Sequence, residues 1–475
     1  MKPLPTHCTK HLAAMTDFYS KPQKRGFLSK HYTSLLAGTY NFLINDTDRV
    51  LEIGCGSGDL LAQLRGREKC GIDLSETLIT EGRLKHPSID FQAGAAELLA
   101  PASPFDVIVL SDVLNQAADV EVLLRQLHHF SHPGTRLLIN IHNTLWRPLL
   151  DFGRTLGLAR KVPLGSWLSR RDVINLCTLA DWEVFKSFGR ILLPIPVPFI
   201  SRLLNRWLAP LANWACLAVF LVTRRANLRR LDPDVVSVVV PARNEAGNIA
   251  HVLERTPRLG KQTELIFIEG HSRDSTWEAI QALPDEFHNG CIVKLRQSGK
   301  GKGNAVIEAF RRATGDIVLI LDADLTVPPE DLPKFVKVLA SGKADFANGV
   351  RLVYPMDEKA MRFANLCANK GFSLIFSWLL GQHIKDTLCG TKAMWRDDYL
   401  RLDANRAYFG DFDPFGDFDL LFGADKLRLK IMDVPVRYKQ RTYGETNIHR
   451  WRHGFLLLRM VLFAAQRLKF VRPLA

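Results

Sequence analysis

The sequence predicts an α/β protein built as two doubly wound domains in series. Short apolar runs alternate with helix-length segments over most of the 475 residues, and the alternation starts afresh partway along. Each start is an apolar strand that breaks off into small or polar residues. These are Val50–Gly58 (VLEIGCGSG) and Val235–Glu245 (VVSVVVPARNE). In sheets of this kind ligands bind where the parallel strands end, so two such openings predict two nucleotide-handling domains.

Composition bounds the reading. Hydrophobic residues at 47% and charged residues at 24% fit a folded globular chain and exclude general disorder. Eight scattered cysteines include no CxxC pair, which argues against a structural zinc site or a disulfide framework and fits a reducing compartment. The excess of 63 Lys+Arg over 49 Asp+Glu, a net +14, points to phosphates, in nucleic acid or on an anionic membrane. The opening MKPLPTHCTKHLAAMTDFY has no basic stretch followed by an apolar core, so no secretory signal is expected. Leu208–Thr223, broken by Pro210 and Asn213, and Gly454–Ala465, broken by Arg459, come nearest to spanning helices without reaching that length.

Taken in order, the first domain covers 1–226, with strands expected at 50–53, 71–74, 106–110, 136–141, 184–188 and 215–223. The last two follow a long irregular piece rich in proline (194, 196, 198 and 210) and predict an antiparallel end to a parallel sheet. A basic, turn-forming stretch places the linker at 227–234. The second domain, 235–448, offers strands at 235–240, 264–268, 291–295, 316–321 and 345–349, and residues 449–475 form a basic amphipathic helix. His128, His129 and His132 read as the polar face of a helix end.

In the first opening the strand delivers Glu52, and Gly54, Gly56 and Gly58 follow at GxGxG spacing. Glycine lets the backbone turn sharply and approach a ligand that a Cβ would exclude. Asp73 ends the next strand, where an acid can take both ribose hydroxyls of an adenosyl ligand, and Ser111-Asp112 ends a third. These motifs resemble class I S-adenosylmethionine-dependent methyltransferases over roughly residues 30–225, implying a Rossmann-like fold. The resemblance implies that Glu52, Gly54, Gly56, Gly58, Asp73, Glu97 and Asp112 bind S-adenosyl-L-methionine. Gly94-Ala95-Ala96-Glu97 departs from the family by an Ala where Asp is common, and Asn115 stands where Glu or His is frequent. Nothing in the sequence identifies the methyl acceptor, and a domain that binds the cofactor without turnover stays open.

The second opening leads into four elements in order. They are Pro241-Ala242-Arg243-Asn244-Glu245, Glu269-Gly270-His271-Ser272-Arg273-Asp274, the Lys300-Gly301-Lys302-Gly303-Asn304 loop, and LILDADL with Asp322 and Asp324 about Ala323. Two carboxylates at i and i+2 past a buried strand are costly unless a cation lies between them, and oxygen ligands suit Mg²⁺ or Mn²⁺ with substrate phosphate. The set resembles family 2 glycosyltransferases of the GT-A fold, most closely the dolichyl and polyprenyl-phosphate sugar synthases, over about residues 235–448. By that resemblance Pro241, Ala242, Glu245, Glu269, Lys302 and Ala323 surround a nucleotide-diphosphate sugar, and Asp322 and Asp324 hold the metal-bound diphosphate. Asp386 and the basic Arg437 and Arg441 attend the acceptor phosphate, and the Tyr443–Asn447 segment matches a phosphate-holding loop with Asn in place of Lys. Asp417, then Asp419, are the candidates for the base that takes the acceptor's proton.

The resemblance makes polyprenyl phosphate the first acceptor and a soluble or lipid-linked glycan the second. With the basic tail it also implies peripheral attachment to an anionic membrane surface at the inner, cytoplasmic face. A helix packed on the enzyme itself is the alternative for that tail. No aromatic and basic platform for RNA is evident, which counts against a nucleic-acid partner.

Overall fold

The computed structural model describes residues 6–20, 26–95, 103–155, 167–226, 232–287, 290–351, 353, 363–406, 417–439, 443 and 450–470. The chain forms two compact units, Met1–Ala226 with Lys469–Ala475, and Asn227–Leu468.

The first unit opens with α1 (Thr6–Ser20) and α2 (Phe27–Leu43). It continues through β1 (Arg49–Ile53), β2 (Glu68–Asp73), α3 (Glu76–Lys85), β3 (Asp90–Ala93) and β4 (Phe105–Ser111). Then come α4 (Val120–Gln126), β5 (Ser131–His142), α5 (Arg147–Thr155), α6 (Arg170–Leu179), β6 (Trp182–Arg190), α7 (Ile200–Leu203) and β7 (Ala218–Arg225). Its sheet runs β3-β2-β1-β4-β5-β7-β6. The strands are parallel apart from β7, which lies antiparallel between β5 and β6, as the closely spaced final runs predict. Side chains alternate between two cores. Val107 and Val109 of β4 face one, and Ile108 and Leu110 the other, so helices cover both faces.

The second unit begins with β8 (Val235–Ala242), α8 (Ile249–Arg255), β9 (Gln262–Glu269), α9 (Thr276–Gln281), β10 (Glu286–Phe287) and β11 (Gly290–Arg296). It goes on to α10 (Lys302–Arg312), β12 (Ile317–Ile320), α11 (Leu332–Ala340), β13 (Phe346–Val350) and α12 (Phe363–Leu380). It ends with β14 (Lys392–Trp395), α13 (Arg396–Ala404), α14 (Asp417–Lys426), β15 (Ile431–Pro435) and α15 (Arg450–Leu468). The order is β10-β11-β9-β8-β12-β14-β13-β15, with β14 antiparallel to both neighbours. Val236, Val238 and Val240 of β8 join Ile317 and Leu319 of β12 in one core.

In both sheets strand order reverses beside the first strand, between β1 and β4 and between β8 and β12, and a crevice opens at such a reversal. Both openings read from the sequence lie there. The sequence reading omitted β3, β10, β14 and β15, none longer than five residues.

One further expectation gains detail and another changes. Over Met460–Leu468 the tail helix packs against α12 and buries Met460, Val461, Ala464, Ala465 and Leu468 within the unit, while Leu458 and Leu462 stay exposed. His128 is no polar face. Its ring stacks on buried Trp182, its Nε2 lies 2.7 Å from the Ala180 carbonyl, and burial lowers its pKa. Among the described residues, no helix is long and apolar enough to cross a membrane.

Candidate active sites

The first crevice is a cavity of about 1040 Å³ walled by Gly54, Gly56, Asp73 and Asp112, with Leu12, Met15 and Tyr19 of α1 along one side. Its glycine loop stands in left-handed backbone, with φ of 73° at Gly54, 56° at Gly56 and 77° at Gly58. A Cβ on Gly54 would come within 2.7 Å of Val113, and one on Gly58 would strike the Phe91 ring. Asp73 ties the loop to the helix that follows. Its carboxylate accepts from the backbone N–H of Gly56 at 2.8 Å and of Ser75 at 2.9 Å. A carboxylate has about four acceptor positions, so capacity for ribose hydroxyls remains.

Not every expected residue is in the wall. Glu52 is 2% exposed and lies in the sheet beneath the loop, and Gly58 shapes the turn from behind. Glu97 is outside the described residues. The glycine cradle, the acid at the end of β2 and the cavity size together fit an adenosyl cofactor.

Around Asp112 the structure adds a hydrogen-bonded cluster that the sequence did not disclose. Asp112 follows β4 directly, with φ 54°, an uncommon conformation for a residue with a side chain. Asn140 donates to it at 2.7 Å and the Tyr32 hydroxyl at 3.1 Å, while His142 Nε2 lies 3.3 Å from that hydroxyl. Tyr40 and Ser111 both donate to Oδ1 of the Asn140 side chain. Burial pushes the Asp112 carboxyl up, against the lowering effect of His142 and of the Tyr32 and Asn140 hydrogen bonds. Burial and Asp112 also drive the Tyr32 and Tyr40 hydroxyls well above the usual tyrosine range. The only sequence signal was a polar end, Asn140-Ile141-His142-Asn143, on an apolar strand.

In the second unit, the loop after β8 and the loop after β9 are knitted together. Asn244 N–H donates to Ser272, Arg273 N–H to Asn244, and Ala246 N–H to Asp274. Pro241 and Ala242 end β8 within this weave, and the Ala242 carbonyl accepts from Gly270 N–H at 2.9 Å. Glu245 and Glu269, expected against the nucleotide, are buried and have loop partners, Asn248 Nδ2 at 2.7 Å and Ser272 N–H. Asp274, which carried no role in the sequence reading, bridges the two loops. Burial works to raise its pKa, but hydrogen bonds from Thr276 and Ala246 hold it below the usual range. Tyr443 stands so close to Gly247 that a Cβ there would meet its ring, which brings the start of the 443–447 segment to this loop.

At the end of β12, Asp322 pairs with Lys302 Nζ at 2.5 Å, each side chain about a quarter exposed. Gly390 closes over the pair, since a Cβ there would strike both the Asp322 carboxylate and the Lys302 ammonium. Burial tends to raise the Asp322 pKa, but Lys302, then Lys392 and Arg351, outweigh it and hold it low. Asp324, past buried Ala323, accepts from Thr326 N–H at 3.1 Å and from its hydroxyl at 2.8 Å. The expectation that the paired aspartates need a metal between them is thus altered, because Lys302 already compensates one charge. Among the described residues no group of three or more His, Cys, Asp or Glu gathers as a metal site. One or two carboxylates completed by substrate phosphates are a normal Mg²⁺ or Mn²⁺ donor set, so Asp322 and Asp324 fit such an ion together with a diphosphate.

The acceptor residues divide. Asp386 is fully buried, not facing a phosphate. It takes Arg351 Nε at 2.7 Å, Arg351 Nη2 at 2.9 Å and Leu388 N–H at 3.0 Å. Asp419 is likewise buried and paired with Arg406 at 2.6 Å, which removes it from an open base position. Asp417 opens α14, with its side chain outside the described residues, as is Arg441. Arg437 is exposed, with its N–H donating to Asp331.

Fold and sites together define a two-domain α/β protein with a cofactor crevice in one unit and an acid–lysine crevice in the other. Residues 27–187 match the family model described as Methyltransferase domain, and residues 237–401 match Glycosyl transferase family 2. The chain therefore carries a methyltransferase domain followed by a family 2 glycosyltransferase domain. It is 28% identical over 218 residues to a dolichol-phosphate mannosyltransferase of Pyrococcus furiosus, covering 45% of this chain and 59% of that one. It is 30% identical over 241 residues to a low-salt glycan biosynthesis hexosyltransferase of Haloferax volcanii, covering 50% and 55%. An undecaprenyl-phosphate 4-deoxy-4-formamido-L-arabinose transferase of Pseudomonas aeruginosa is 34% identical over 113 residues, covering 23% and 33%. The chain thus spans from 33% to 59% of the length of these relatives.

Proposed function

We infer that the second domain transfers a hexosyl unit from a nucleotide-diphosphate sugar to an acceptor, with polyprenyl phosphate as the first choice. The single observation that carries this is the Asp322–Lys302 pair under Gly390 at the strand-order reversal, with Asp324 two residues on. A bound divalent ion would neutralise charge developing on the departing diphosphate. Asp322 and Asp324 would hold it, and Lys302, in the first turn of α10, would add a cation beside a helix N-terminus suited to phosphate. The knitted loops of Pro241, Ala242, Glu245, Glu269 and Asp274 form the nucleoside wall. Asp417 is the remaining acid for an acceptor that arrives protonated, and a phosphate acceptor arrives already ionised. The names of the relatives support a lipid-phosphate acceptor. They also fit a protein at the membrane surface.

The first domain is read as an S-adenosyl-L-methionine-dependent methyltransferase acting on the transferred sugar, its acceptor or a neighbouring glycan position. The cofactor supplies an electrophilic methyl group. Asp73 and the glycine loop orient it, and Tyr32, Asp112 and His142 form a chain through which an acceptor hydroxyl can lose its proton. A panel of nucleotide sugars with Mn²⁺ and polyprenyl phosphate, scored by nucleoside diphosphate release, tests the transferase reading. Asp322→Ala is expected to abolish release with the fold intact, and release unchanged in that variant contradicts the reading.

A further inference from the structure

We propose that the proline-rich connection between β6 and β7, with the adjoining face of α5, is the element that seats this protein on an anionic lipid surface. The proposal deepens the membrane-surface reading above and gives it a location other than the tail.

The connection, residues 191–217, exposes apolar side chains to an extent a soluble surface does not explain. Phe199 is 89% exposed, Trp214 74%, Leu211 63% and Leu203 59%. Hydrogen bonds place the turn leading into α5 beside it. Asn143 Nδ2 donates to the carbonyls of Trp214 and Cys216, and Trp146 Nε1 to that of Ala215. Leu145, Leu149 and Phe152, spaced at helical intervals and also exposed, extend the patch from there. Contiguous exposed apolar surface of this kind marks an interaction site.

Charge, backbone chemistry and strain select lipid as the occupant. Residues 191–217 contain no Asp or Glu but include Arg202 and Arg206, and the one acid on α5, Asp151, faces Arg147 at 3.6 Å. Trp, Phe and Leu beside Arg, without acids, is the composition that lies at a headgroup boundary. A segment that dips below the hydrated headgroups gains from satisfying its own backbone, since water grows scarce with depth. Here Pro194, Pro196, Pro198 and Pro210 have no N–H to satisfy. The Asn205 side chain accepts from Leu192 and Leu193 N–H at 2.8 Å and donates to the Leu193 carbonyl at 2.7 Å. Ser201 Oγ accepts from Val197 N–H at 2.7 Å and donates to the Ile195 carbonyl. Phe199 has φ 60°, a strained conformation for an aromatic residue, and it projects the ring outward. Strain that places a phenyl ring in water makes sense when something apolar receives the ring.

The test uses the full chain and sedimentation with vesicles, either of equal parts phosphatidylcholine and phosphatidylglycerol or of phosphatidylcholine alone. Wild-type protein is expected to pellet with the anionic vesicles and more weakly with the neutral ones. Phe199→Ser with Trp214→Ser is expected to lower the partition coefficient at least about tenfold. Arg202→Glu is expected to weaken only the anionic case, and it keeps the test open should the double variant misfold, as judged by its melting curve. Binding by a well-folded double variant equal to wild type overturns the assignment while leaving peripheral attachment through another element. Failure of the wild type to bind either vesicle overturns both. Patch-dependent self-association in sedimentation velocity, without vesicle binding, identifies a second copy as the occupant and overturns the lipid proposal.

Discussion

Replacing Gly390 by Ala is the sharpest test of the glycosyltransferase site, because one methyl group enters between the two groups assigned to the diphosphate. The added Cβ would lie well inside 3.0 Å of both the Asp322 carboxylate and the Lys302 ammonium, whereas ordinary contact begins at 3.4 Å. Both groups are the ends of side chains, so they yield and the backbone does not. Restoring contact distance requires each to move by about 1 Å, and a misplacement of that size costs on the order of a hundredfold in catalysis. The fold is little affected, with an expected change in stability under about 0.5 kcal/mol, as for a substitution that removes no core contact. The assay is nucleoside diphosphate release by G390A and wild type under saturating Mn²⁺, alongside thermal unfolding of each. Lys302→Met is expected to be damaging alone and to add little in the G390A background, since both changes remove the same cation from its place. Release by G390A within about threefold of wild type, at wild-type stability, refutes the assigned geometry.

Three other outcomes follow from the same structure. Asp386→Ala strands the Arg351 guanidinium in a site where the two side chains are 0% and 11% exposed, and is expected to lower unfolding free energy in urea by about 3–5 kcal/mol. Asp112→Asn should abolish adenosylhomocysteine formation yet flatten the dependence of stability on pH. The folded carboxyl titrates above its unfolded value of about 3.9, so its contribution is full below that pH and is lost as pH rises through the folded value. Urea melts of wild type and variant from acid to neutral pH read the slope directly. Gly54→Ala puts a side chain into left-handed backbone, a strain of about 1–2 kcal/mol, and against Val113. It should remove S-adenosyl-L-methionine binding by calorimetry while leaving nucleoside diphosphate release intact.

What the sequence disclosed was local, and what it hid was long-range. The glycine loop, Asp73 and the Asp322–Asp324 pair were legible because each sits just past an apolar strand, where a break in pattern is visible within a few residues. The strands β3, β14 and β15 were not. DFQA, KAMW and IMDVP are short and mix charged or polar residues into the run, and each owes its pairing to neighbours already in the sheet. Tyr32 and His142 meet across 110 residues, and Arg351 and Asp386 across 35, so no spacing rule brings them together. The tail was ambiguous for another reason. An apolar helical stripe has the same pattern whether it covers lipid or α12, and only packing decides.

The two crevices share a position in the sheet but shift their acids in opposite directions. Asp322 has cations around it, so its ionised form is favoured despite burial. The stability this contributes is present above the unfolded carboxyl value and is lost as pH falls through the lower folded one. Cations placed in this way favour the charged form, which is what the proposed role beside a metal ion and diphosphate calls for. Asp112 has a tyrosine, an amide and an imidazole for neighbours, and burial outweighs them, so its protonated form is brought closer to reach. A carboxyl poised in that way, next to Tyr32 and His142, is suited to moving a proton and not to anchoring a cation. At the same strand end, then, surrounding cations favour the ionised acid in the second domain and burial disfavours it in the first. The difference lies in the partners that distant segments bring to it.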